Sequence, residues 1–254
     1  MKDSIKVIKI GGTIAEDENQ LDDFLKDFAA LKGFKILIHG GGVIATKLAE
    51  KLGLKLKMID GRRVTDKGML DIATMVYAGL VNKKIVAALQ AIQVNAVGLT
   101  GADLNLIQAA KRNPVPIDFG WVGDIASIKT NWIRAFLEKG VVPVFAPITH
   151  DGKGSLLNTN ADSVASELAV KLAEKNEVEL ILCFDQPGVM RDGKVITSLK
   201  PDSFEKLKQD KVISGGMIPK LQMGFKAIEK GVHHVVLKSA NDLNEEQKGT
   251  RLEV

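Results

Sequence analysis

The chain has 254 residues, 45% of them apolar and 26% charged, which is an ordinary globular composition near the upper size of a single hydrophobic core. The net charge is +4, but the lysines alternate with acids and so form no basic patch. Because the chain has only one tyrosine and no aromatic residues interleaved with basic ones to stack on bases, we expect no nucleic-acid partner. No apolar run reaches the ~18 residues of a membrane span, and the N-terminus leaves no room for a signal peptide. The single cysteine, Cys183, excludes an internal disulfide. We therefore expect a cytoplasmic protein without a membrane partner.

Short apolar runs alternate with amphipathic segments throughout, which is typical of parallel β–α units. In chain order we predict strand 5–10, helix 21–31, strand 35–39, helix 44–52, helices 65–78 and 81–92 separated by Gly79, a hairpin at 115–128, helix 130–140, strand 141–148, helix 160–172, strand 179–184, helices 202–210 and 218–230, and strand 235–237. A shift in composition at 173–179 suggests a seam between two lobes, 1–175 and 176–254.

Two glycine turns follow the first two predicted strands. Lys9 stands at the end of the first strand and is followed by Gly11 and Gly12, so a positive charge and backbone N–H groups are offered to a phosphate beyond the carboxyl end of the strand. The second strand runs into His39-Gly40-Gly41-Gly42 at a helix N-terminus, where the helix dipole favours an anion. The first turn alone is equally compatible with an ordinary, flexible strand end.

The second turn also allows a different interpretation, a Rossmann-type dinucleotide-binding oxidoreductase. Gly40, Gly42 and Ala45 satisfy the dinucleotide fingerprint, and Asp60 follows at the distance expected of a ribose-binding acid. Against this interpretation, the rest of the chain offers no obvious hydride-transfer site. The dinucleotide interpretation also leaves two motifs farther along the chain without a role.

The first of these motifs places Asn158, Asn160 and Asp162 two residues apart at a predicted helix start, where an acid can also be a simple cap. The second, Gly215-Gly216-Met217-Ile218-Pro219-Lys220, places Lys220 in the first turn of a helix. A lysine is electrostatically unfavourable there, because that end of a helix carries the positive pole. The placement therefore indicates an anion bound nearby.

Phosphoryl transfer requires alignment of donor and acceptor, and cations around the transferred group. Two lysines from distant parts of the chain, Lys9 and Lys220, with Asp162 to orient them, would supply those cations. No Walker A sequence is present, which excludes a P-loop mechanism. Asp118-Phe119-Gly120 lacks the companion motifs of a protein kinase and is interpreted as a turn.

Six motifs that span nearly the whole chain together resemble the amino acid kinase family. They are weak one by one and specific as an ordered set: Lys9-x-Gly11-Gly12, His39-Gly40-Gly41-Gly42, Gly61-x-Arg63-Val64-Thr65, Gly79-x-x-Asn82-Lys83, Asn158-x-Asn160-Ala161-Asp162 and Gly216-Met217-Ile218-x-Lys220. The resemblance implies an α/β fold, a three-layer α/β/α sandwich around a mainly parallel sheet. It also implies that lobe 1–175 binds the amino-acid substrate and forms a homodimer, while lobe 176–254 binds ATP.

The activity implied by the resemblance is ATP-dependent phosphorylation of the γ-carboxylate of N-acetyl-L-glutamate, by direct in-line transfer, as a step of arginine biosynthesis. Mg²⁺ is expected on the ATP phosphates with few or no protein ligands. Three residues are expected to be catalytic: Lys9, Lys220 and Asp162. Five are expected to bind the substrate: Gly41, Gly42, Arg63, Asn158 and Asn160. Five are expected at the phosphates and the nucleotide: Gly11, Gly12, Asp185, Ser214 and Gly216.

Several alternatives stay open at this level. The same chemistry on an N-succinyl-glutamate or an aminoadipate derivative is compatible with the motifs, because the residues that form the pocket walls are not identified. A non-catalytic nucleotide-binding regulator is a further alternative, although the presence of both lysines and Asp162 argues against it. No extra helix precedes the first strand, so we expect a homodimer without arginine feedback. The segment 238–250 departs from the family's usual ending, which leaves details of the ATP lobe undecided.

Overall fold

The computed structural model describes residues 4–59 and 62–254. Asp60, which entered the dinucleotide interpretation, and Gly61, from the third family motif, lie outside the described residues.

The β-strands of the described residues are, in chain order, β1 Ser4–Ile10, β2 Phe34–His39, β3 Met58–Ile59, β4 Arg62–Arg63, β5 Ala96–Leu99, β6 Ile107–Lys111, β7 Gly123–Ile128, β8 Val142–Phe145, β9 Ile148–His150, β10 Leu156–Asn158, β11 Glu177–Phe184, β12 Met190–Arg191, β13 Lys194–Val195, β14 Ser198–Leu199, β15 His234–Ser239 and β16 Thr250–Leu252. The α-helices are α1 Glu18–Ala30, α2 Gly42–Lys51, α3 Lys67–Thr74, α4 Asn82–Ala91, α5 Asn131–Glu138, α6 Ala161–Ala173, α7 Pro201–Gln209 and α8 Met217–Glu229, with 3₁₀ turns at Asp103–Asn105 and Ala240–Asp242.

An eight-stranded sheet in the order β14-β16-β15-β11-β1-β2-β8-β5 forms the centre of the protein. Its pairs are parallel except for β15 with β16. The chain builds outward from β1 to β2 and later continues on the other side with β11, so the strand order reverses between β1 and β11. Ligands of open α/β sheets bind beyond the carboxyl ends of the strands at such a reversal. A smaller sheet, β10-β9-β6-β7, and the two-stranded pairs β3–β4 and β12–β13 lie outside this main sheet.

Helices cover both faces of the main sheet, and two hydrophobic clusters separate the layers. One cluster joins the sheet to buried side chains of α5, α6, α7 and α8. The other joins the opposite face to α1, α2, α3 and α4. Because successive residues of a strand point to opposite faces, Ile5 and Val7 of β1 belong to the first cluster, and Ile8 and Ile10 belong to the second. The predicted three-layer α/β/α sandwich around a mainly parallel sheet is confirmed.

Three predictions of local structure were wrong: the single strand 141–148, the hairpin at 115–128 and the helix break at Gly79. The apolar run 141–148 is two strands, because Pro147 cannot donate to a ladder and the chain turns there from the main sheet into the smaller one. In the region of the predicted hairpin, β7 pairs with β6 and not with residues 115–117. Those residues lie in a loop that contains Pro114 and Pro116. Asp118 lies in that loop as the predicted turn, and its Oδ1 accepts from the Gly120 N–H at 2.8 Å.

Gly79 does not interrupt the helix. Between α3 and α4 the chain continues as a π-helical segment, Met75–Val81, so one helix of 25 residues runs over Lys67–Ala91. Val76 and Val81 are buried in the core, and this packing outweighs the low helix propensity of glycine. The length and composition of this helix would also suit a membrane span, but a core helix passes the same test, and its buried face packs against the sheet.

Candidate active site

Strand β1 positions Lys9 beneath the helix layer that contains α6. The alternation of the strand places Lys9 on the same face as Ile5 and Val7, and its side chain is only 9% exposed. A lysine buried to this extent requires a partner, since an isolated ammonium is costly to remove from water. The partner is Asp162, whose Oδ1 lies 2.8 Å from Lys9 Nζ.

Asp162 is the second residue of α6, and the start of that helix is fixed locally. Asn160 is the N-cap, and its Oδ1 accepts from the Ser163 N–H at 3.0 Å. Immediately upstream, the hydroxyls of Thr159 and Thr149 lie 2.7 Å apart and are both buried. These contacts hold the first turn of α6, and therefore the Asp162 carboxylate, against the carboxyl end of β1.

Lys220 completes the cluster from the first turn of α8. Its Nζ lies 2.5 Å from Asp162 Oδ2, so the two lysines contact different oxygens of one carboxylate. Burial alone would raise the pKa of Asp162, but the charges of Lys9 and Lys220 outweigh it and hold the pKa at about 2. Burial, helped by the charge of Lys9, lowers the pKa of Lys220, although Asp162 opposes this shift. Two ammonium groups and one carboxylate thus carry one net positive charge, at a place where the Lys9 and Asp162 side chains are each only 9% exposed.

The two glycine turns meet directly beside this cluster. A Cβ on Gly12 would lie 3.3 Å from the backbone nitrogens of both Gly41 and Gly42, and a Cβ on Gly40 would lie 3.1 Å from the Gly12 nitrogen. Side chains at these positions would fill the space where the turns meet. The N–H groups at the start of α2 have no carbonyl partner within the helix, so they are available to an anion.

Arg63 lies on the other side of the second turn. Its Nη2 donates to the Gly42 carbonyl at 3.0 Å and to Thr46 Oγ1 at 2.6 Å. A guanidinium has five N–H donors, so these contacts orient the group and leave others for a carboxylate ligand. Asn158 is joined to the same region, because its Nδ2 donates to Thr65 Oγ1 at 3.0 Å and Thr65 Oγ1 donates to the Arg63 carbonyl at 3.3 Å.

The remaining predicted residues lie farther out. Asp185, Ser214 and Gly216 are exposed, the first just after β11 and the other two just before α8. Asn160 is also exposed, and its carbonyl oxygen already caps α6. The structure thus gathers Lys9, Asp162 and Lys220 into direct contact, and it leaves these four residues at the rim, where their ligand roles stay predictions.

Two side chains at the site were missed by the sequence analysis. Tyr77 is buried against the second glycine turn, where a Cβ on Gly41 would lie 2.6 Å from its ring, and burial raises its pKa. Thr65 bridges Asn158 and Arg63 as described above. Thr65 is part of the motif Gly61-x-Arg63-Val64-Thr65, but the sequence analysis gave it no role. Nothing in the local sequence distinguishes Tyr77, except that it is the single tyrosine.

Comparisons with known proteins agree with this fold and show the family. The amino acid kinase family model matches residues 4–239, so the chain belongs to the amino acid kinase family, as the motifs indicated. An acetylglutamate kinase of Phocaeicola vulgatus is 49% identical over 249 residues, covering 96% of this chain and 97% of the relative. An acetylglutamate kinase of Cytophaga hutchinsonii is 50% identical over 245 residues, covering 94% and 92%.

Solved structures show the same fold. The protein smu.665 of Streptococcus mutans UA159 matches with a TM-score of 0.81 at 29% identity, covering 99% of both chains. An N-acetylglutamate synthase of Neisseria gonorrhoeae, complexed with coenzyme A and N-acetyl-glutamate, matches with a TM-score of 0.86 at 23% identity. This second match covers 99% of the present chain and 59% of the synthase, and at that identity it bears on the fold alone.

Proposed function

We propose that the protein transfers the γ-phosphoryl group of ATP to the γ-carboxylate of N-acetyl-L-glutamate, forming the acyl phosphate and ADP, as a step of arginine biosynthesis. The observation that carries the proposal is the contact of Lys9 and Lys220 with opposite oxygens of Asp162, beside two glycine turns. Relatives of 49% and 50% identity over nearly the whole chain are acetylglutamate kinases, which supports this substrate.

The chemistry requires no general base. The γ-carboxylate of the acceptor is already ionised at neutral pH, since an ordinary glutamate carboxyl has a pKa of about 4.3. Asp162 is a poor base, because its pKa is held at about 2 by the two lysines. Its role is therefore to hold Lys9 and Lys220 on either side of the transferred group, where their charges stabilise the equatorial oxygens in the transition state.

The substrate is assigned to the side of the second glycine turn. Arg63 is oriented by Gly42 and Thr46 and is suited to bidentate pairing with the α-carboxylate, while Asn158 faces the same region through Thr65. N-H groups of Gly41 and Gly42 on one side, and of Gly11 and Gly12 on the other, would surround the phosphoryl group in transfer. Asn160 at the rim is assigned to the substrate as well.

The nucleotide is assigned to the rim formed by Asp185, Ser214 and Gly216, next to Lys220. Mg²⁺ would enter on the ATP phosphates and neutralise part of their charge. The donor set fits this arrangement better than a protein-held metal, because the buried carboxylate at the site, Asp162, is already engaged by two ammonium groups. We also propose that lobe 1–175 holds the amino acid and lobe 176–254 holds ATP.

Assembly as a homodimer in the cytoplasm, without nucleic acid or membrane, completes the proposal. Strand β5 is the edge of the main sheet as described, and the neighbouring helix Lys67–Ala91 exposes Met75 (55%) and Leu80 (47%), which would suit burial against a second copy. Cys183 is a free, buried thiol, which suits a reducing compartment. Light scattering of the purified protein tests the dimer, and a monomeric mass would contradict it.

An ATP-dependent hydroxamate assay over a panel of N-acyl-glutamates and free amino acids tests the function. We expect turnover with N-acetyl-L-glutamate to exceed that with N-succinyl-glutamate, aminoadipate derivatives or free glutamate, and to be largely lost in Lys220→Met. Preference for another member of the panel would assign the same chemistry to that acid. Thermal stabilisation by NAD but not by Mg-ATP would favour the dinucleotide alternative, which membership of the amino acid kinase family disfavours.

A further inference from the structure

A buried polar network lies behind the second glycine turn, on the sheet face opposite Lys9. His39, the last residue of β2, is fully buried, and Asn82 at the start of α4 is 1% exposed. The His39 Nδ1 atom lies 2.7 Å from the Gly40 carbonyl oxygen, and His39 Nε2 lies 3.1 Å from Asn82 Nδ2. Lys83 contacts the far end of the network, with its Nζ 3.0 Å from Asn82 Oδ1.

The outer partners of the network determine the position of every proton. Asn82 Nδ2 also lies 2.9 Å from the Val144 carbonyl oxygen, which only accepts hydrogen bonds, so the amide nitrogen must face it. The Lys83 ammonium only donates, so the Asn82 carbonyl oxygen must face Lys83. The second N–H of the Asn82 amide therefore points at His39 Nε2, which has to be the bare nitrogen. The proton of a neutral His39 is then on Nδ1, where it is donated to Gly40.

We propose that His39 is a positioning residue for phosphoryl transfer: its Nδ1–H holds the Gly40 carbonyl, and this aims the Gly41 N–H at the transferred group. In a trans peptide the carbonyl of one residue and the N–H of the next share a plane and point in opposite directions. A hydrogen bond that fixes the Gly40 carbonyl toward His39 thus fixes the Gly41 N–H away from it. The inference rests on the proposed function, because it assigns the phosphoryl group to that direction.

The glycine turn needs such a support. Three successive glycines have no side chains that restrict their backbone, and a Cβ on Gly40 would make a tight contact of 3.1 Å with the Gly12 nitrogen. The Gly41 nitrogen lies close to Gly12 in the other turn, which is the side where the phosphoryl group is proposed. A donor that is already oriented costs no reorganisation when charge develops in the transition state.

The charge state of His39 agrees with this role. Burial lowers the pKa of His39 to about 4, the Gly40 carbonyl opposes the shift, and the charge of Lys83 adds to it. The imidazole is therefore neutral at the pH of the cell, with one donor and one acceptor nitrogen. A charged imidazole would place a donor against the Asn82 amide and break the network.

Two substitutions of His39 separate positioning from simple packing. Asparagine places its amide nitrogen near the position of Nδ1, whereas glutamine places it near Nε2. We expect His39→Gln to lower kcat by about 10²-fold, since one aimed donor in the transition state is lost, and to change the KM for ATP only a few-fold. His39→Asn should retain the larger kcat of the two. If His39 only filled space, the larger glutamine would be at least as active as asparagine, and that ranking would overturn the proposal. His234→Asn and His234→Gln, at an exposed histidine of β15, are the matched controls.

The tautomer is measured independently of turnover. Long-range ¹H–¹⁵N spectra of the intact protein at neutral pH, with His39 assigned by its loss in His39→Asn, should show a protonated Nδ1 and a bare Nε2. A proton on Nε2, or a doubly protonated ring, would overturn the inference even in an active enzyme. A wild-type protein that turns over no substrate of the panel would instead refute the proposed function, while the tautomer would still report on the network.

Discussion

The Nζ of Lys220 lies 2.5 Å from Oδ2 of Asp162, although the two residues are on the first turns of different helices. The N-terminal ends of α6 and α8, which carry the positive poles of the two helices, therefore approach each other. Together with the charges of Lys9 and Lys220, these poles exceed the single negative charge of Asp162. Such an excess of positive charge repels itself and is stabilised by the negative charge of a phosphoryl group. The same excess of positive charge underlies the first three properties that we predict for the site.

Substitution Lys220→Met should remove most of the turnover while the fold stays intact. Asp162 keeps its contact with Lys9, so no carboxylate is left unpaired, but the cation that is proposed to act on the transition state is lost. We expect kcat to fall by about 10³-fold, with a much smaller change in KM, in steady-state assays. Lys230→Met, at the C-terminal end of the same helix, is the matched control. Turnover of Lys220→Met near that of the control would refute the assignment.

Asp162 should stabilise the protein in a pH-dependent manner. Its pKa is about 2 when folded and 3.8 in an ordinary aspartate, so its contribution is present above pH 4 and is lost as the pH falls through 2. The difference corresponds to about 2 kcal/mol. Between pH 5 and 2 the free energy of unfolding of the wild type should therefore fall by about that much more than in Asp162→Asn. Urea unfolding over this range measures it. Asp22→Asn, on the exposed side of α1, is the control, and equal slopes in all three proteins would contradict the prediction.

The activity should decline at alkaline pH earlier than an ordinary lysine would allow. Burial and the charge of Lys9 lower the pKa of Lys220 below the usual 10.5, so its charge is lost as the pH rises through that lowered value. A profile of kcat/KM for ATP against pH, which reports on the free enzyme, should show this decline, and Lys220→Arg should move it upward, because a guanidinium stays charged. The shape of the profile is informative even if the arginine variant is slower. An identical decline in both proteins would assign it to another group.

Removal of Arg63 should weaken binding of the amino acid rather than of ATP. Arg63 is held by Gly42 and Thr46 next to the second glycine turn, on the side assigned to the substrate. We expect Arg63→Ala to raise the KM for N-acetyl-L-glutamate by 10-fold or more, roughly the loss of one charge-assisted pair, and to leave the KM for ATP within a few-fold. The neighbouring, exposed Arg62→Ala should resemble the wild type. Equal effects on both substrates would argue against this role.

Two glycine-to-alanine substitutions should differ sharply in stability. A Cβ on Gly98 would overlap Asn82 Oδ1 and lie 2.6 Å from Lys83 Nζ, whereas a Cβ on Gly79 would meet no other group within 4 Å. Gly98→Ala should therefore lower the melting temperature and disturb the network behind the glycine turn. Gly79→Ala should leave it unchanged or raise it, because alanine favours a helix by up to about 1 kcal/mol over glycine. Similar melting temperatures would show that the network is more adaptable than its distances indicate.

Much of the fold follows from local patterns. The short apolar runs located β1, β2 and β11 to within two residues, because strands that are buried on both faces are apolar nearly throughout. The break at Pro147 and the continuation through Gly79 were not predicted, because both depend on which neighbouring element packs there. At the site, local patterns were sufficient to identify the candidates. Strand ends and helix starts identified Lys9, Asp162 and Lys220, and the turn of β2 into α2 identified the glycines.

The sequence by itself determined the family, the chemistry to look for and the residues that could perform it, because these are properties of residue types at short spacings. Only the tertiary structure decided that two lysines far apart in the chain share one carboxylate, and that Asn82 and His39 meet behind the Gly40 carbonyl. Such contacts are made by the packing of whole helices and strands, and no local preference encodes their distance. For the same reason the lowered pKa of Asp162 appears only once burial and both lysines act on it together.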